Sequence, residues 1–275
     1  MTGGSVGLGR RVVLVAAFSV SFVAAASLSS RVLPSEVLAR GGSVPASAAY
    51  AGAPLAALPS ALDIGRLTPL SDPAADTRWA PVLQATVARS TPNPKAAPVG
   101  QLPRLTPDGS TNIVVAEGEA DVNGATWVRV GLSVLPNGTD GWVPRTSLGG
   151  WSFVDTRLVV DRARFTATLF RAGRVIFRAR VGVGAPGTQT PAGQFYVRDR
   201  LTGFSSPLYG PLAFGTNARS PTLTDWPGGG VVGIHGTDQP NLIPGRISHG
   251  CVRLTNAAIL KLGKLMPVGT PVAIE

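Results

Sequence analysis

The chain has 275 residues, a formal charge of +10, 34 glycines, 24 prolines and a single cysteine. One cysteine excludes an intrachain disulfide, and a charged fraction of only 15% with so much Gly and Pro argues for strands and turns over long helices. The basic surplus contains no run of five or more Lys or Arg, so no nucleic-acid partner is expected.

Arg10 and Arg11 precede an unbroken run of apolar or small residues over 12–26, and Ala24 and Ala26 supply a small-x-small cleavage pattern. This predicts a secretory signal peptide over 1–26 and a protein that works outside the cytoplasm, in the wall or periplasm. The run is shorter than the ~20 apolar residues of a spanning helix. Retained rather than cleaved, it would tether the protein to the membrane. Residues 27–75 are rich in Ala, Pro, Ser and Gly, which predicts a flexible spacer.

Residues 76–150 read as short strands. Val87 to Arg89 precedes a Pro-rich bend, and Asn112 to Ala116 is apolar and β-branched. Asn123-Gly124 is a hairpin signal. Thr126 to Val130 then alternates as a half-buried strand does. Asn137-Gly138 marks a second turn before Gly141 to Pro144. The run N-G-x-x-W-V-R-V followed by G-W-V-P resembles a small bacterial SH3-like β-barrel. That resemblance implies a module that binds wall peptide, positions a catalytic domain or acts only as a spacer.

Residues 151–275 continue in strands. Arg157 to Asp161 and Arg164 to Phe170 alternate, and Ala172-Gly173 turns the chain. Val175 to Val183 then pairs back, with Val175, Phe177, Ala179 and Val181 expected on one face. Thr255 is placed to cap a helix running through Met266, and Pro271 to Ile274 forms a last strand. The predicted fold is mainly β with one or two short helices.

Both histidines and the only cysteine fall between positions 235 and 251. A cysteine nucleophile needs a base to generate thiolate and a proton donor for the leaving group, and imidazole performs both near neutral pH. His249 is two residues from Cys251 and would share its face in an extended segment. His235 ends the apolar stretch Val231 to Ile234 and would reach Cys251 if the two segments pair. Spacing leaves the choice of base open. The successive N–H groups of His249, Gly250 and Cys251 offer an oxyanion hole. A zinc site on His235, His249 and Cys251 lacks the spacing of the common zinc motifs, so neither metal nor cofactor is expected.

Ser248-His249-Gly250-Cys251-Val252-Arg253, downstream of Ile234-His235-Gly236, resembles the active-site signature of the L,D-transpeptidase catalytic domain, the YkuD-type fold. Thr190-Pro191-Ala192-Gly193-Gln194-Phe195 is similar to that family's T-P-x-G-x-F segment. The resemblance implies a YkuD-like β-sandwich over 151–275. It makes Cys251 the nucleophile and His235 the general base, with the Gly236 carbonyl orienting the imidazole. His249 and Gly250 would shape the site and oxyanion hole, while Ser248 and Arg253 would support the loop or contact a substrate carboxylate. Position 236 is commonly Ser in relatives and is Gly here. The implied partners are peptidoglycan stem peptides, met by a monomer. A hydrolytic L,D-carboxypeptidase would use the same site, and a non-catalytic wall-binding protein is the remaining alternative.

Overall fold

A computed structural model describes residues 67–72, 76–203, 205–223 and 230–275. The export segment and nearly all of the 27–75 spacer lie outside these residues. No helix among the described residues is long and apolar enough to cross a membrane.

The first eight strands form one sheet, sheet I. They are β1 (Thr68–Pro69), β2 (Thr77–Pro81), β3 (Thr86–Arg89), β4 (Pro98–Leu102), β5 (Ile113–Val122), β6 (Ala125–Gly131), β7 (Asp140–Pro144) and β8 (Ser152–Val154). Their order is β4-β3-β7-β6-β5-β2-β8, with β1 also on β5. Asn123 (φ 50°) and Gly124 (φ 76°) turn β5 into β6 with both central residues left-handed, the geometry a two-residue hairpin favours. Alternation along β5 sends Val114 and Ala116 inward, where they join Val82, Val128, Val130 and Val143 in one apolar cluster, while a bulge at Glu117 turns Ala120 to a separate cluster with Trp127 and Trp142. Sheet I runs past residue 150, because β8 pairs Val154 with Thr77.

The remaining strands form sheet II. They are β9 (Thr156–Asp161), β10 (Thr166–Arg171), β11 (Arg174–Arg180), β12 (Gly182–Gly184), β13 (Gly193–Leu201), β14 (Ala213–Arg219), β15 (Val231–His235), β16 (Gly245–Ser248), β17 (Val252–Arg253) and β18 (Pro271–Ile274). Their order is β11-β10-β9-β18-β13-β14-β15-β17-β12-β16. Leu158 and Leu169 from one half of that order share a core with Phe214, Ile234 and Val252 from the other, so the sheet curls over a common interior. The protein is mainly β, as its sequence predicts.

Two local expectations are corrected. Leu169 pairs with Phe177 but Phe170 pairs with Val175, so Ile176 is an extra residue. This bulge reverses the side-chain alternation, and Val175 stands 52% exposed instead of joining Phe177 inside. The helix α1 (Asn256–Gly263) is capped by Thr255, whose Oγ1 accepts from Ala258 N–H at 3.3 Å. It stops before Met266, which is buried in the core just beyond it.

The two sheets meet through the segment between β6 and β7. Asn137 brackets the backbone of Arg219, donating to its carbonyl at 2.7 Å and accepting from its N–H at 2.8 Å. Tyr196 Oη donates to the Gly131 carbonyl at 2.9 Å.

Candidate active site

The parallel pairing of β15 with β17 assembles the site. Ile234 lies opposite Val252 and His235 opposite Arg253. One step back along both segments, Gly233 N–H donates to Cys251 Sγ at 3.4 Å. Gly233 and His235 are two apart on a strand and share a face. A Cβ on Gly233 would stand 3.8 Å from both Cys251 Sγ and His235 Cδ2. The absent side chain thus leaves open the space that thiol and imidazole border.

His235 is buried, and its Nδ1–H donates to the Gly236 carbonyl at 2.6 Å. A carbonyl can only accept, so this bond fixes the proton on Nδ1 and leaves the Nε2 lone pair available. Desolvation lowers the pKa of His235 to about 4, against the opposing pull of the Gly236 carbonyl and with a further push from Arg253. The Tyr209 ring lies 5.1 Å from the imidazole, tilted by 60°.

Cys251 is partly exposed as a residue although its sulfur is enclosed. Burial pushes its thiol pKa up, while the Gly233 N–H and the Arg253 charge pull it down. The resting pair is therefore neutral thiol and neutral imidazole, not a preformed ion pair.

The loop carrying Cys251 is held from several sides. Buried Ser248 donates its hydroxyl to the Cys251 carbonyl at 2.6 Å and accepts from Gly250 N–H at 3.1 Å. That engages the Gly250 N–H expected in an oxyanion hole. Gly250 adopts φ 124°, a conformation L side chains rarely take. Thr190, 1% exposed, donates its hydroxyl to the Gly250 carbonyl at 2.8 Å and accepts from Gly184 N–H at 2.9 Å. His249 is exposed. Arg253 is half-buried, and its Nε has no hydrogen-bond partner among the described residues.

Gly236 is fixed by packing. A Cβ there would collide with Asn256 Oδ1 and stand 3.0 Å from Gly210 Cα and 3.1 Å from Pro211 Cδ. Asn256 Oδ1 itself accepts from Thr237 N–H at 2.9 Å. Thr190, Tyr209, Gly233 and Asn256 are the site residues that sequence reasoning passed over. Only Thr190 carried a signal, as part of the T-P-x-G-x-F segment.

Two cavities of about 570 and 510 Å³ lie where the sheets meet and include neither Cys251 nor His235. No group of three or more His, Cys, Asp or Glu among the described residues is arranged to hold a metal.

Residues 155–274 match the YkuD family, the L,D-transpeptidase catalytic domain. The chain carries a YkuD-family catalytic domain. Within it, YkuD of Bacillus subtilis (strain 168) is 34% identical over 110 residues, covering 40% of this chain and 60% of that protein. YkuD of Bacillus licheniformis is 31% identical over 118 residues, covering 43% and 64%. The chain thus spans less than two thirds of the length of these relatives. The NMR structure of the catalytic domain from the E. faecium L,D-transpeptidase is 28% identical, covering 44% of this chain and 97% of that one, with a TM-score of 0.34. All seven residues singled out from the sequence, Cys251, His235, Gly236, Ser248, His249, Gly250 and Arg253, lie within the YkuD domain.

Proposed function

We propose that this chain is an exported L,D-transpeptidase that cross-links peptidoglycan stem peptides through a thioester on Cys251, with His235 as general base. The observation that carries this reading is the Nδ1–H bond of His235 to the Gly236 carbonyl, which leaves Nε2 unprotonated on an imidazole that borders the same Gly233 space as the Cys251 thiol.

In the reaction, His235 Nε2 takes the Sγ proton as Cys251 Sγ attacks the carbonyl between the third and fourth stem residues. The carbonyl oxygen becomes an oxyanion facing the backbone N–H of Cys251. The intermediate collapses to a thioester, and the departing D-Ala amine takes the proton from Nε2. A side-chain amine of a second stem gives up a proton to Nε2 and displaces the thiolate, which recovers that proton. Because thiol and imidazole rest neutral, charge develops only as substrate arrives, where the field of Arg253 favours the thiolate. Arg253, with its buried Nε unpaired, is also placed to meet a substrate carboxylate.

The segment 1–26 directs export, and the part of the chain from 76 to 150 serves as an SH3-like module that positions the catalytic domain. A hydrolytic reading uses the same residues with water as acceptor.

The test is to incubate the chain lacking residues 1–26 with a disaccharide-tetrapeptide and to separate products by mass. A cross-linked dimer with released D-Ala supports transpeptidation. Tripeptide alone identifies the hydrolase. No product from wild-type enzyme shown to be folded and reduced refutes both.

A further inference from the structure

In the 510 Å³ cavity between the sheets a buried guanidinium, near enough to Asp199 to feel its charge, keeps one nitrogen without a hydrogen-bond partner. Arg198 is 4% exposed and lines this cavity, and its Nε has no hydrogen-bond partner. No carboxylate among the described residues lies within 4 Å of it. A guanidinium nitrogen buried without an acceptor carries a desolvation cost, so Nε calls for a hydrogen-bond partner in the cavity.

Strand irregularities direct this side chain. Val197 pairs with Thr216 and Asp199 with Gly215, so Arg198 is the extra residue of a bulge in β13. In β14, Gly215 pairs with Gly233 and Arg219 with Val231, so residues 216–218 oppose a single residue of β15. Bulges re-aim side chains that regular pleating would send elsewhere. Here Arg198 and Arg219 line the same cavity. Arg219 donates through Nε to the Ser133 carbonyl and hydroxyl at 3.0 and 3.2 Å. Burial lowers its pKa, and the charge of Arg198 lowers it further, which puts the two guanidiniums in each other's field. The loops before β5 and after β6 contribute Thr106, Asn112 and Ser133 to the lining.

We propose that this cavity is an oxyanion site, in which Arg198 grips a carboxylate or a phosphate with its planar fork and Arg219 supplies the second positive charge. Guanidinium matches both anions in two-pronged geometry. Phosphate esters and peptide carboxylates share this chemistry, and the bound anion would tie sheet I to sheet II. The site is separate from Cys251 and does not depend on the catalytic reading.

The full chain is titrated calorimetrically with inorganic phosphate and, separately, with N-acetyl-D-alanine, at ionic strength matched with sodium chloride. Saturable one-to-one binding of either probe, weakened at least about tenfold in Arg198→Met, is the expected result. Whichever probe binds more tightly identifies the source of the anion. Arg198→Lys, which keeps the charge and loses the fork, replaces the Met variant should that one not fold, with the same expectation. Absence of saturable binding to wild type, or equal binding by wild type and a folded variant, overturns the proposal.

Discussion

Replacing Thr190 by Val tests how far the catalytic loop depends on a residue that touches no reacting group. Val matches Thr in shape and removes only the hydroxyl. That hydroxyl donates to the Gly250 carbonyl at 2.8 Å and accepts from Gly184 N–H at 2.9 Å, at a position 1% exposed. Two buried backbone groups would lose their partner, and an unmet buried polar group costs about 1 kcal/mol or more. The sum is about 2 kcal/mol, or a fall in Tm of about 4–8 °C for a folded region of this size. Gly250 also sits one residue from Cys251, so the loop should lose its register and turnover should drop about tenfold or more. Thr190→Ser keeps both hydrogen bonds and should recover most of each loss. Thermal unfolding and muropeptide turnover are the assays. A Thr190→Val protein within 1 °C and twofold of wild type would refute the argument.

Three further outcomes are expected. Gly236→Ser should lower kcat at least about tenfold, because its Cβ collides with Asn256 and crowds Gly210, shifting the carbonyl that orients His235; unchanged kcat would detach that carbonyl from catalysis. His235 is held to a pKa of about 4 against 6.5 when unfolded, so it contributes stability present above pH 6.5 and lost as pH falls toward 4, about 3 kcal/mol in all. Denaturant unfolding of His235→Gln should show a shallower loss over that window, and identical pH profiles would contradict the assignment. Alkylation of Cys251 by iodoacetamide should keep rising with pH through 9, since its thiol pKa is raised; a plateau near neutrality would mean a preformed ion pair.

Local features with local causes were legible in the sequence. Asn123-Gly124 forms its turn because both residues tolerate positive φ, and Thr255 caps its helix because its hydroxyl reaches three residues ahead. The chemistry-bearing residues were legible too, since the only Cys and both His cluster in seventeen positions. Long-range pairing was not. Sequence spacing left His235 and His249 open, and the parallel register of β15 with β17 is what sets a buried His235 beside Arg253 while His249 stays exposed. The role of Thr190 depends on a partner 60 residues away. The exposure of Val175 depends on a bulge set by the neighbouring strand, and the aim of Arg198 on another. Strand β4 escaped notice because Pro98 opens it, at the edge of sheet I where a missing N–H is tolerated.

The account stands on Cys251 as the acylated residue. The direct measurement is the intact mass of the chain, quenched in acid within its first turnovers on a disaccharide-tetrapeptide, followed by peptide mapping. The account predicts an adduct with the mass of the substrate less D-Ala, located on the peptide containing Cys251 and absent from Cys251→Ala. Turnover in wild type with no such adduct, or turnover retained in Cys251→Ala, would contradict it.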